Sequence, residues 1–132
     1  MQKYLLAICI LILQLNAFSQ SRVPKQVIYG NIKLSSLKNN RKIEIPAVNI
    51  KVILVEVMRS GNTVNKNICN SNVQKLPNQA KFYYTDFEGS YLFSGLNKGK
   101  KYELLICGNS YVLRLTIPPS SNNYVQVPTQ TL

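Results

Sequence analysis

Apolar and polar residues alternate along most of the chain after residue 20, and this two-residue period predicts short β-strands with one buried face. The clearest case is a segment whose alternate positions are all apolar: Val48, Ile50, Val52 and Leu54. From Ile53 onward the intervening positions are apolar too, so we expect a central strand that is buried on both faces. No segment after residue 20 has a convincing helical period.

Residues 84–107 predict three antiparallel strands separated by two turns. The first turn contains Asp86 and Gly89, and the second contains Asn97 and Gly99. We expect Asp86 to accept backbone N–H groups within its own turn, and both glycines to supply positive φ angles. These three residues are therefore interpreted as structural rather than as ligands of a cation or substrate.

Turn and proline signals divide the remainder of the chain. A first strand is predicted over Gln26–Lys33 and a last one over Tyr124–Val127. The segment Ser35–Ile45 is polar and basic, so it is predicted to be a loop, whereas residues 63–70 are expected to form a short strand. About seven short strands separated by turn signals predict a single all-β domain of the sandwich class.

The first 19 residues have the pattern of a secretory signal peptide. Lys3 precedes an uninterrupted apolar run, Leu5–Leu13, and small residues stand at positions 17 and 19. Cleavage is therefore predicted before Gln20, which leaves a domain of residues 20–132 for export to the periplasm or the cell exterior. The alternative is an uncleaved membrane anchor, but the apolar run is shorter than the roughly 20 residues that a spanning helix needs.

The chain is strongly basic, with 16 Lys and Arg against 5 Asp and Glu and a net charge of +11. The basic residues are spread along the sequence instead of being packed with aromatics into one segment, so the pattern does not favour a nucleic-acid partner. Export would also separate the protein from most nucleic acid. We interpret the charge as a basic surface with weak attraction to acidic polymers.

Cys69 and Cys107 are the two cysteines that remain after cleavage. An even count in an oxidising compartment allows one disulfide, but two buried thiols fit the sequence equally well. The chain has no histidine, so neither cysteine has a histidine to act as its base, and an imidazole-ligated zinc site is excluded. We expect no catalytic residues, no metal and no cofactor, and hence a protein that is not an enzyme.

The sequence resembles a carboxypeptidase regulatory-like domain, a transthyretin-like sandwich related to Cna protein B-type modules. The resemblance covers roughly residues 26–117 and is carried by these positions: Gly30, Ala47–Val52, Thr85, Asp86, Gly89, Tyr91, Phe93, Leu96, Gly99, Tyr102 and Gly108–Tyr111. It implies a seven-stranded antiparallel Greek-key sandwich. The segment 59–81 is longer than the usual connection of that family, and it is either a binding surface or padding.

Two functions follow as expectations. The resemblance implies a monomeric protein-interaction module of a bacterial cell envelope, whose sheet edges and 59–81 segment would contact a protein partner. The alternative is a carbohydrate-binding module, because sandwich relatives bind glycans, the chain has eight tyrosines, and exposed aromatic faces are used to bind sugars. The absence of tryptophan counts against this alternative. The candidate tyrosines for such a surface are Tyr83, Tyr84, Tyr111 and Tyr124.

Overall fold

A computed structural model describes residues 24–58, 66–70 and 80–132. Within these ranges the chain forms nine β-strands and one 3₁₀ helix, Lys66–Asn70. The strands are β1 (Lys25–Lys38), β2 (Arg41–Pro46), β3 (Lys51–Glu56), β4 (Ala80–Tyr84), β5 (Ser90–Asn97), β6 (Tyr102–Cys107), β7 (Val112–Ile117), β8 (Tyr124–Gln126) and β9 (Gln130–Thr131). The predicted signal peptide, its cleavage site and most of the 59–81 segment lie outside the described residues.

The strands form two sheets. Sheet 1 is built on β1, which pairs antiparallel with β2 and β5 and parallel with β8 and β9. Sheet 2 has the order β4-β3-β6-β7 and is antiparallel throughout. The all-β class is therefore confirmed, but the prediction of a wholly antiparallel sandwich was wrong, because the last two short strands run parallel to β1.

The two sheets enclose one apolar core. Its members come from both sheets and are almost completely buried: Ile28, Ile32, Ala47, Val52, Leu54, Tyr91, Phe93, Leu96, Tyr102, Leu104, Ile106, Ile117 and Val127. Gln26 is a buried polar residue beside them, and its side-chain amide donates to the carbonyl oxygens of Ser120 and Asn122 at 3.1 and 2.8 Å. Since those bonds offset the loss of water, the polar side chain is tolerated in the interior.

The predicted loop at Ser35–Ile45 was wrong. β1 continues to Lys38, and β2 returns along it from Arg41. Asn39 and Asn40 form the two-residue connection with φ angles of 51° and 60°, which is the geometry of a tight hairpin turn whose twist matches that of the strands. The polar composition concealed this hairpin, because all six residues of β2 are exposed.

Thr85 fixes the loops at one end of the sandwich. Its buried hydroxyl donates to the carbonyl oxygen of Ala47 at 2.5 Å and accepts from the N–H of Ile50 at 2.8 Å. Nearby, Gly89 has a φ of 73°, and an added Cβ would collide with the carbonyl oxygen of Ile32. These contacts hold the connection between β2 and β3 and that between β4 and β5 against β1.

The buried hydroxyl of Tyr91 lowers the stability of the core, because no hydrogen bond to a described residue replaces those it makes to water in the unfolded chain. Burial also raises the pKa of Tyr91 above its ordinary value. Tyr102 is equally buried but is satisfied, since its hydroxyl donates to the carbonyl oxygen of Asn97 at 2.9 Å and accepts from the N–H of Asn97 at 3.1 Å. The two tyrosines therefore form a matched pair for a test.

We predict that Tyr91→Phe leaves the free energy of unfolding unchanged or raises it by up to about 1 kcal/mol, because it removes an unpaired buried hydroxyl and keeps the ring. Tyr102→Phe should instead lower it by about 1 kcal/mol, since two hydrogen bonds are lost. Urea unfolding of both variants beside the unmodified protein measures this difference. Equal destabilisation by the two substitutions would show that the Tyr91 hydroxyl has a partner in solution.

Candidate binding surfaces

The outer face of sheet 2 is covered by the 3₁₀ helix. The buried residues on this face are Ile53 and Val55 of β3 and Leu105 of β6, and they pack with Ile68 of the helix in a second buried cluster. Partly buried residues, including Phe82 of β4 and Val112 of β7, pack against this cluster. The ammonium of Lys51 donates to the carbonyl oxygen of Cys69 at 3.4 Å. A strand was predicted for 63–70, but residues 66–70 are helical, and residues 63–65 lie outside the described ranges. The helix explains why β3 is buried on both faces.

A disulfide holds this cover in place. Cys69 in the helix is bonded to Cys107 at the end of β6, with their Cα atoms 5.6 Å apart. That separation lies in the middle of the range that an unstrained disulfide requires. Of the two alternatives that the sequence leaves open, the structure therefore contains the bonded pair. It ties a segment within the long 59–81 connection to the sheet.

The predicted turn residues lie in the two turns of the β4–β5–β6 meander. The Oδ1 atom of Asp86 accepts the N–H groups of Glu88 and Ser90, both at 2.9 Å. Gly99 has a φ of 71°, and its N–H donates to the carbonyl oxygen of Ser120 at 3.0 Å. An oxygen that accepts two backbone donors at this distance is occupied by the turn, which agrees with a structural role for this carboxylate.

The four candidate tyrosines do not share one surface. Tyr83 and Tyr84 are neighbours on β4, and their side chains point to opposite faces of sheet 2. The ring of Tyr83 lies 6.3 Å from that of Phe93 in the other sheet. Tyr111 belongs to the turn between β6 and β7, where its ring rests against Gly108, and Tyr124 lies on β8 of sheet 1. Strand alternation in the sequence already separates Tyr83 from Tyr84, but the positions of Tyr111 and Tyr124 follow only from the fold.

The outer face of sheet 1 carries two tyrosines, Tyr29 and Tyr124. Register places Tyr29 of β1 between Leu92 of β5 and Gln126 of β8. Tyr124, whose exposed fraction is 69 %, stands two residues before Gln126 on the same face. In the next row the side-chain amide of Asn31 donates to the hydroxyl of Ser90 at 2.7 Å. This face thus combines exposed apolar side chains with hydrogen-bonding groups.

An apolar groove of about 400 Å³ lies where the two sheets diverge. One wall comes from the end of β7 and the other from β8 and the segment after it. The apolar lining residues are Leu115, Ile117, Pro118, Val125, Val127 and Pro128. β7 is the last strand of sheet 2 and pairs only with β6 among the described strands. An apolar groove beside an unpaired strand edge is a suitable site for an extended peptide.

The described side chains that could ligate a metal ion do not cluster at one place. No three Cys, Asp or Glu residues lie close enough to hold a metal ion within the described ranges. The nearest approach of opposite charges in sheet 2 is Glu103 Oε2 to Arg114 Nη1 at 3.9 Å.

The helix found among the described residues is not long and apolar enough to cross a membrane.

The chain matches no protein-family model and no curated protein. Among solved structures it is similar to the major plantain pollen allergen Pla l 1, with a TM-score of 0.51 and 11 % identity over 81 % of this chain and 91 % of that one. A second similar structure is a Pseudomonas aeruginosa protein proposed to bind carbohydrate, with a TM-score of 0.46 and 13 % identity over 86 % and 93 % of the two chains. The first likeness shows a shared β fold alone, and the second is too distant to indicate more.

We predict that Cys69→Ser, alone or with Cys107→Ser, lowers the free energy of unfolding by about 4 kcal/mol. The bond joins residues 38 apart in sequence, and the entropy of closing a loop of that length gives this magnitude. Thermal unfolding with and without reductant provides the measurement. Two alkylatable thiols in the native protein, detected by intact mass, would contradict the bond itself.

Proposed function

We propose that this chain is an exported, non-catalytic β-sandwich module that binds a protein partner in a bacterial cell envelope. The main observation that supports this proposal is the apolar groove beside the edge of β7. The disulfide supports an extracytoplasmic location, because such bonds persist in oxidising compartments. The predicted signal peptide agrees with the same destination.

The resemblance to carboxypeptidase regulatory-like domains belongs to this proposal. Such domains are stand-alone or appended interaction modules, and the seven-stranded Greek-key arrangement is the finer topology that the resemblance implies. In this chain two further short strands, β2 and β9, extend the pairing of β1. We assign the module no activity of its own, since the chain has no histidine and the Asp86 carboxylate is engaged in its turn.

In the proposed complex an extended segment of the partner adds to β7 and places alternate side chains in the groove. The β6–β7 ladder shows which backbone groups are available. The N–H of Gly108 bonds to the carbonyl oxygen of Tyr111, and the register then makes Leu113, Leu115 and Ile117 the residues that exchange hydrogen bonds with β6. The N–H of Thr116 therefore points away from β6, toward the added strand.

We predict that Thr116→Pro abolishes partner binding and leaves the fold intact, because proline removes an outward N–H without breaking a ladder bond. Thr116→Ala is the matched control, since it keeps the N–H and should bind as the unmodified protein does. Affinity capture from an envelope extract at mild salt, with mass spectrometry of the recovered proteins, compares the three. A partner retained equally by both variants would rule out strand addition at β7, and recovery of no partner would count against the module itself.

Carbohydrate binding is the second candidate, and the outer face of sheet 1 favours it. Tyr29 and Tyr124 lie on one open face together with Gln126 and Asn31, which supply amide groups. Aromatic faces beside amides suit the apolar faces and hydroxyls of a sugar. Of the four tyrosines named from sequence, only Tyr124 belongs to this group.

If this face binds glycans, Tyr124→Ala should weaken binding roughly tenfold, or about 1.4 kcal/mol. Tyr84→Ala, an exposed tyrosine on the other sheet, serves as the control and should have no effect. A glycan array identifies the ligand, and titration of both variants with it gives the ratio. An array without signal above background would eliminate this candidate.

A further inference from the structure

The hairpin of β1 and β2 extends beyond the sandwich as an arm. Pairing of β1 with β5 ends at Asn31, and its pairing with β9 ends at Lys33. Past Ser35, whose N–H donates to the last carbonyl oxygen of the described chain at Leu132, β1 pairs only with β2 among the described strands. Three more residues at about 3.3 Å each carry the tip roughly 10 Å further. We refer to residues 36–43 as the arm.

Apolar side chains of the arm and its base lie on both of its faces. Leu37 pairs with Lys42 on one face, and its exposed fraction is 79 %. Ile43 pairs with Ser36 on the opposite face, followed by Ile45, and these two isoleucines are 36 % and 42 % exposed. A flat or concave protein surface would cover only one face of such a ribbon. A fluid interface that surrounds the tip would cover both.

The tip is also cationic. Lys38 and Arg41 face each other across the turn, Lys42 follows, and all three are exposed. None of the three forms an ion pair with a described residue. Glu44, the acid next to the arm in sequence, is engaged elsewhere. Its carboxylate lies 3.4 Å from the ammonium of Lys33 and accepts from the hydroxyl of Thr131 at 3.3 Å. The arm therefore offers three positive charges that no described residue compensates, beside exposed Leu37 and Ile43.

We propose that the arm docks this protein on an anionic phospholipid surface, with Leu37 and Ile43 in the headgroup–acyl boundary and the three cations on lipid phosphates. Charge complementarity supplies the attraction, since each Lys or Arg near such a surface strengthens binding by about fivefold. Apolar side chains at the tip add affinity by leaving water. The site lies outside the groove and the sheet 1 face, so it is independent of the partner proposed above.

Co-sedimentation with vesicles tests the charge requirement. Vesicles of phosphatidylcholine with about a third phosphatidylglycerol should bind the protein, and vesicles of phosphatidylcholine alone should not. Replacing Lys38, Arg41 and Lys42 together by Gln should weaken binding by about a hundredfold. The matched control replaces Lys98, Lys100 and Lys101 by Gln, which removes the same net charge elsewhere on the protein, and its binding should fall far less. All proteins carry the same N-terminus, confirmed by mass.

Insertion of the tip is tested separately with fluorescence. The chain contains no tryptophan, so Leu37→Trp introduces a unique reporter. Its emission should shift to shorter wavelength on anionic vesicles and be quenched by brominated lipid. Leu92→Trp is the control on the outer face of sheet 1, and its emission should not change.

Three results would overturn the proposal. Equal binding to both kinds of vesicle would remove the role of lipid charge, and equal losses in the two triple variants would reduce the effect to net charge. Arm-dependent binding to poly-glutamate without binding to anionic vesicles would assign the arm to an acidic protein instead. Because the Thr116 variants leave the arm intact, failure here and failure of the groove are distinguishable.

Discussion

The architecture depends on one long strand that pairs with four others. β1 has 14 residues, more than any strand beside it, so β5 and β2 follow one another along one edge while β8 and β9 share the other. Its alternate residues, among them Ile28 and Ile32, supply the core. Gly30 stands between them because the Tyr91 ring lies directly over it and leaves no room for a Cβ. Continuation of the strand past the core then produces the arm.

The sequence predicted those strands whose environment is uniform along their length. The three strands predicted around residues 84–107 are observed as Ala80–Tyr84, Ser90–Asn97 and Tyr102–Cys107. In β5 the alternation reflects one buried face, whereas β6 is a run of apolar residues that is buried on both faces near Leu105. An Asp, Asn or Gly marks each turn. Local chemistry thus determined local structure, and tertiary contacts did not override it.

Other elements could not be predicted, for different physical reasons. β2 has no buried face, so its Ile43 and Ile45 alternate with charged residues in a segment that looks like a basic loop. The two-asparagine connection was the signal that could have identified the hairpin. β8 was predicted over Tyr124–Val127 and is observed as Tyr124–Gln126, but its parallel pairing with β1 was not predicted. The two-residue β9 exists because β1 offers an edge to it. The groove is formed by β7 and β8, which are brought together only by folding.

The outer face of sheet 2 is covered and that of sheet 1 is exposed in the described residues, and this difference determines where the candidate surfaces lie. Sheet 2 buries Ile53 and Leu105 under the 3₁₀ helix, and the disulfide to Cys107 holds that helix in place. Among the described residues, none covers the corresponding face of sheet 1, where Leu92 and Tyr124 are exposed. Because the disulfide holds the helix against sheet 2, the candidate surfaces among the described residues lie on sheet 1, in the groove and on the arm. The groove and the arm are separate parts of the domain, so the two proposed contacts would not compete for the same residues.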